Sequence, residues 1–147
     1  MFYRAKNWII TVLALALCLL FATFLYAKET VLLSKTQGAR TFYLDSASSQ
    51  SLIKTELALS DLPRVRGESV FFVCEGKDCE KDVAQQIFKK YGGTVTFVEA
   101  ASGVVSYYGY AADLGKPILL YGQAINLHVA VGENRVAVGT PIIFGGF

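Results

Sequence analysis

Ala124-Ile125-Asn126-Leu127-His128-Val129-Ala130-Val131 alternates residue by residue, with Ile125, Leu127, Val129 and Val131 on one side and Asn126, His128 and Ala130 on the other. Side chains of a strand point in turn to its two faces, so this stretch reads as one strand with an apolar face and a mixed one. Gly132-Glu133-Asn134 supplies a hairpin turn, and Arg135 to Ile143 returns as the partner strand. Upstream, Thr94 to Glu99 and Val104 to Tyr110 are rich in β-branched and aromatic residues and are separated by the turn Ala100-Ala101-Ser102-Gly103. Ile118-Leu119-Leu120-Tyr121 follows Gly115-Lys116-Pro117 and reads as a short edge strand, where a proline needs no amide partner. Val70-Phe71-Phe72-Val73-Cys74 is a continuous apolar run of strand length, as expected of a buried strand.

An antiparallel sheet with one apolar face needs a cover. Residues 78–91 provide it. Val83, Ile87 and Tyr91 recur at four-residue steps, Ala84 and Phe88 widen the stripe, and Gly92-Gly93 ends the helix. Asp78 is placed to cap its first turn. The expectation is an α+β domain over residues 69–147, with an antiparallel sheet of about five strands and one helix packed on one face.

Toward the N-terminus the pattern weakens. Residues 28–68 read as a stalk or N-terminal arm with weak secondary structure, in which Arg40 to Leu44 is a plausible strand and Asp45 to Ser51 caps a short helix reaching Lys54. Before the arm, Trp8 to Tyr26 is an uncharged apolar run of 19 residues. As a helix it spans roughly 28 Å, close to the ~30 Å of a bilayer's hydrocarbon core. Residues 1–27 are therefore a transmembrane helix, meeting the membrane through residues 8–26, or a signal peptide cleaved near Ala27. Arg4 and Lys6 precede the run, while Lys28 and Glu29 cancel after it, so the positive-inside rule places the rest of the chain outside the cytoplasm. The expected location is the cell membrane, single-pass, or the exterior if the segment is removed. Cys18 lies within the apolar run and reads as a small apolar residue there.

Residues 28–147 carry 12 Lys and Arg against 12 Asp and Glu, because Arg4 and Lys6 supply the whole excess of the chain. Nucleic-acid binding rests on clustered positive charge, so this balance argues against a nucleic-acid partner.

Gly103-Val104-Val105-Ser106-Tyr107-Tyr108-Gly109-Tyr110, Ile125-Asn126-Leu127-His128-Val129-Ala130 and Val138-Gly139-Thr140-Pro141-Ile142-Ile143 together resemble the C-terminal half of the YwmB family. These are exported proteins of spore-forming Gram-positive bacteria whose domain resembles the TATA-box-binding fold. The resemblance covers about Phe72 to Phe147 and implies a similar fold and a sporulation setting, not DNA binding.

Cys74 and Cys79, with four residues between them, form a possible disulfide in an oxidising compartment. A thioredoxin-type redox motif has two intervening residues. With His128 the single histidine, a zinc site would need carboxylates from distant parts of the chain, and no Gly-x-Ser-x-Gly or similar nucleophile motif accompanies it. Gly92-Gly93 and Gly115-Lys116 lack the spacing of phosphate-binding loops. No catalytic residue, metal or cofactor is expected. Tyr108, Tyr110, Asn126 and His128 share one sheet face if their strands are neighbours, and that face is the candidate binding surface for a protein or cell-wall partner. Two readings stand side by side: a non-enzymatic envelope module using this face, and a small exported hydrolase or thiol-redox protein using His128 or Cys74 and Cys79.

Overall fold

In a computed structural model the described residues are 2–46, 52–74 and 78–145, with side chains described for 8–25, 31–46, 52–74 and 82–145. The chain divides into two units, Met1–Val31 and Leu32–Phe147. The first is one helix, α1 (Phe2–Thr30), containing the apolar stretch Trp8–Leu25. That 18-residue stretch has the length and composition of a membrane anchor or a signal sequence.

The second unit is α+β. In chain order it contains β1 (Ala39–Leu44), β2 (Leu52–Lys54), a 3-10 turn (Leu59–Arg64), β3 (Val65–Val73), α2 (Asp78–Lys90), β4 (Gly93–Ala101), β5 (Val104–Ala111), β6 (Ile118–Leu120), β7 (Gln123–Ile125), β8 (Leu127–Val131) and β9 (Arg135–Thr140). Seven strands form one antiparallel sheet in the order β2-β1-β3-β9-β8-β5-β4, and β6 pairs with β7 in a separate ribbon.

The sheet is wider than the five strands expected, because the arm contributes to it. β1 pairs with β3 from Ala39↔Phe71 to Leu44↔Val65, so residues 28–68 are no mere stalk. Leu52–Lys54, expected to close a helix, is strand β2 beside β1, and residues 47–51 lie outside those described. An ion pair between half-buried Arg40 and buried Glu68 ties the arm to β3, with Arg40 Nε 2.8 Å from Glu68 Oε1. Glu68 Oε2 accepts the backbone N–H groups of Leu32 at 2.8 Å and Leu33 at 3.1 Å. Burial raises the Glu68 carboxyl above its usual range, against the opposing pull of those amides and of Arg40. At the far edge of the arm Lys54 Nζ meets Asp61 Oδ2 at 2.7 Å, and this hydrogen bond holds the Asp61 carboxyl below its usual range.

The core lies between α2 and one sheet face. Ala84, Ile87, Phe88 and Tyr91 pack against Val70, Leu127, Val129, Val131, Val136 and Val138, all buried. The helix follows the expected stripe and ends at Gly92, whose φ of 62° is the left-handed value that glycine adopts without strain. The side chain of Asp78, expected as its cap, lies outside those described.

Candidate functional site

Register orders the face turned away from α2. Thr41 pairs with Ser69, Ser69 with Gly139, Gly139 with His128, His128 with Tyr108, and Tyr108 with Phe97. These six residues make one row across β1, β3, β9, β8, β5 and β4. Adjacent strands lie about 4.8 Å apart, close to ring-stacking distance. One end of the row uses that coincidence. The rings of His128 and Tyr108 stack at 4.2 Å and 19°, and those of Tyr108 and Phe97 at 4.7 Å and 20°. Tyr121 meets Phe97 edge-on, with centroids 5.8 Å apart.

Tyr121 arrives from the two-residue turn between β6 and β7. It has φ 51° and Gly122 has φ 77°. A type I′ hairpin turn demands positive φ at both corners, and Asn, Asp or Gly usually takes the first. An L-residue in this conformation costs roughly 1–2 kcal/mol. Yet the Tyr121 side chain does not repay that cost by burial, being 77% exposed, and Leu119 on the same ribbon is 78% exposed. Tyr121 is thus a large aromatic held in an unfavourable conformation and turned to water.

The other end of the row is covered. Beyond Thr140, joined to Pro141 by a cis peptide bond, residues 141–145 lie over β9 and β3. A Cβ on Gly139 would stand 2.6 Å from Ile143 N, and one on Gly67 would stand 2.5 Å from the Phe144 ring. Phe144 also packs on Tyr43, with centroids 5.3 Å apart. Ile143 donates its N–H to His128 Nδ1 at 3.3 Å.

His128 therefore sits at the seam, 8% exposed, and burial lowers its pKa from 6.5 to about 4. Its Nε2 is buried without a hydrogen-bond partner among the described residues, and so is Ser69 Oγ. An unsatisfied buried polar group costs about 1–3 kcal/mol. A nucleophile and its base need a direct hydrogen bond. Ser69 and His128 have none, and the intervening strand separates their backbones by roughly 10 Å. Burial raises the Tyr108 hydroxyl above the usual phenol range; a hydrogen bond with Ser106 opposes the shift and the Glu99 carboxylate adds to it.

Asn126 leaves this face altogether. The stretch 124–131 is not one strand but β7 and β8, because the ladder breaks at Asn126. Asn126 Oδ1 accepts the Ala111 N–H at 2.8 Å, while Nδ2 donates to the carbonyls of Ala111, Leu114 and Gly115 at 2.8, 3.1 and 3.0 Å. Fully buried and occupied at both ends, the side chain clamps the loop after β5 and offers a ligand nothing.

No family model, curated protein or solved structure matches the chain.

Of the four expected surface residues, Tyr108 is half-buried inside the stack, and Tyr110, two residues along β5 on the same face, is 41% exposed. His128 is buried at the seam and Asn126 is a clamp. Cys74 is disulfide-bonded and Cys18 is free, while the side chain of Cys79 lies outside those described. Among the described residues no three His, Cys, Asp or Glu side chains converge as a cation site. Sequence reasoning missed Tyr121, Leu119 and Phe97. The signal was there: Tyr121-Gly122 between Ile118–Leu120 and Gln123–Ile125 has the spacing of a two-residue hairpin, and the tip of a hairpin projects.

Proposed function

We propose that the domain is a non-enzymatic, envelope-associated module that contacts a protein partner through the bare end of its sheet face. The observation that carries this reading is Tyr121, exposed and in a left-handed conformation, beside the Phe97–Tyr108 stack. Leu119 on the same ribbon and Tyr110 on the same sheet face as Tyr108 are exposed as well. Aromatic residues at a partly hydrated surface are the composition of protein contact cores.

Within the stack, ring geometry favours a protein over a glycan. A sugar stacks its C–H groups on an open ring face, but the facing surfaces of Phe97, Tyr108 and His128 are taken up by one another. Beside the exposed ring of Tyr121, the exposed aliphatic Leu119 on the same ribbon supports a protein side chain as the contact. The charge balance of residues 28–147 speaks against nucleic acid.

In this reading α1 holds the domain at the membrane with Arg4 and Lys6 inside, or is removed near Ala27 to release it outside the cytoplasm. The YwmB-like runs at 103–110, 125–130 and 138–143, and the TATA-box-binding-like fold they suggest, extend the reading to the envelope of a sporulating Gram-positive cell.

Site-specific photo-crosslinking in the native envelope tests the contact. A benzoylphenylalanine at position 121 should give a discrete, protease-sensitive adduct, whereas one at position 85, on the exposed side of α2, should not. The same adducts from both positions, or none from 121, would refute the reading.

A further inference from the structure

The C-terminal segment 141–145 lies in a groove whose floor has been cleared for a polypeptide. Gly67 on β3 and Gly139 on β9 leave the space in which Phe144 and Ile143 sit, and a Cβ at either position would collide with the segment. Tyr43 forms one wall and His128 the other. The segment nevertheless fits its groove imperfectly. It joins no strand, and among the described residues its single hydrogen bond is the 3.3 Å contact from Ile143 N–H to His128 Nδ1. Phe144 stays 44% exposed.

Below it, Ser69 Oγ and His128 Nε2 flank Gly139 in the same row, both on residues more than nine-tenths buried, and neither has a partner among the described residues. Buried polar atoms without partners are rare in folded proteins and call for a physical explanation. With Nδ1 accepting from Ile143, the neutral imidazole carries its proton on Nε2, so what is wanted there is an acceptor such as a backbone carbonyl. The Ser69 hydroxyl can donate or accept.

We propose that this groove is a peptide-binding site that the chain's own tail occupies in cis, and that its exchange ligand is an extended apolar segment of the Ile-Ile-Phe type. The tail identifies the side chains that the groove takes. The ligand improves on it by placing a carbonyl against His128 Nε2 and a polar backbone group against Ser69 Oγ. This site shares His128 of β8 with the border of the aromatic patch but does not rest on the patch's proposed role, since its other residues lie on β1, β3 and β9 where the patch uses β4, β5 and the β6–β7 ribbon.

The test takes the full chain in detergent, carrying Ile143→Gly and Phe144→Gly to empty the groove, and a fluorescent peptide with the sequence of Thr140 to Gly145 as probe. Fluorescence anisotropy should report at least tenfold tighter binding to this variant than to the wild type, and adding His128→Leu should weaken it about fivefold. Equal binding to wild type and emptied variant, or binding indifferent to His128→Leu, overturns the proposal. Should the emptied variant fail to fold, hydrogen exchange on the wild-type chain decides. An Ile143 amide exchanging at least tenfold faster than those of Val129 and Val138 shows the tail leaving an intact sheet, and an amide equally protected shows it to be a fixed part of the fold.

Discussion

The two faces of the seven-stranded sheet are built from alternate residues of the same strands and are finished in opposite ways. Toward α2, β8 and β9 send Leu127, Val129, Val131, Val136 and Val138, aliphatic and buried, and one helix of 13 residues seals them. Away from α2 the same strands send His128, Ala130, Ala137 and Gly139, with Ser69 and Tyr108 beside them. Among the described residues of this unit, α2 packs on the first face only. A short tail closes part of it, and stacked rings border the remainder. The helix face is specified by burial, which any aliphatic set of the right volume satisfies. On the opposite face particular shapes matter: a glycine where backbone must approach, a histidine where an amide needs an acceptor, an aromatic where a hairpin tip projects.

The sharpest way to break this comparison is a matched pair of charges. Ile87→Asp places a carboxylate in the sealed stripe, where a buried charge without a partner costs several kcal/mol, comparable with the whole stability of a small domain. Thermal melting should show no cooperative transition. Tyr110→Asp puts the same charge on the exposed face and should shift stability by about 1 kcal/mol or less. Comparable damage from both would mean that the far face is core too.

The sealed face was largely legible in the sequence and the other was not. Val83, Ala84, Ile87, Phe88 and Tyr91 announce α2 because helix periodicity is a local property of the chain. β1 pairs with β3 over residues 21 to 32 apart, and β3 with β9 over residues 62 to 72 apart, and no local pattern encodes such pairings. The alternation of faces holds from Leu127 to Val131, with both faces buried, yet the strand breaks where the Asn126 side chain takes up backbone groups of residues 111–115, a contact invisible to periodicity. The apolar run through Ile143 reads as a continuing strand, but β9 stops at Thr140 and the remainder becomes the tail. Tyr108 and Tyr110 lie on the face away from α2. Their stacking partner Phe97 and the projecting Tyr121 depend on where β4 and the ribbon come to rest.

A smaller effect tests the seam. Burial lowers the His128 pKa from its ordinary 6.5 to about 4, so the folded domain holds this imidazole neutral while the unfolded chain protonates it near 6.5. Above pH 6.5 both states are neutral and His128 adds no pH dependence. As the pH falls from 6.5 toward 4 the unfolded state takes up a proton that the folded state refuses, and stability drops, by about 2–3 kcal/mol by pH 4.5. His128→Phe keeps a ring against Tyr108 and removes the titration. Urea unfolding at pH 7.5 and 4.5 should therefore show a markedly smaller drop in the variant. Equal drops would mean that the tail does not shield His128, and that the covered and bare ends of this face do not differ as described.

The smallest expected change in stability is the most informative about function. Tyr121→Asn relieves the left-handed strain at the turn, worth roughly 1 kcal/mol, because Asn adopts positive φ far more readily than Tyr does. It also removes the edge contact with Phe97, worth about 0.5–1.5 kcal/mol for an aromatic pair and at the low end for a ring so exposed. The two nearly cancel, so melting should move by no more than a few degrees in either direction. Partner capture should fall at least tenfold, since exposed aromatic anchors typically carry about 2 kcal/mol or more of a contact. A turn residue chosen for the fold would behave in reverse, with stability lost and binding kept. Measuring both quantities on Tyr121→Asn thus separates a hairpin built around its tyrosine from a tyrosine displayed by its hairpin, and only the second outcome is compatible with a binding surface on the bare end of the sheet.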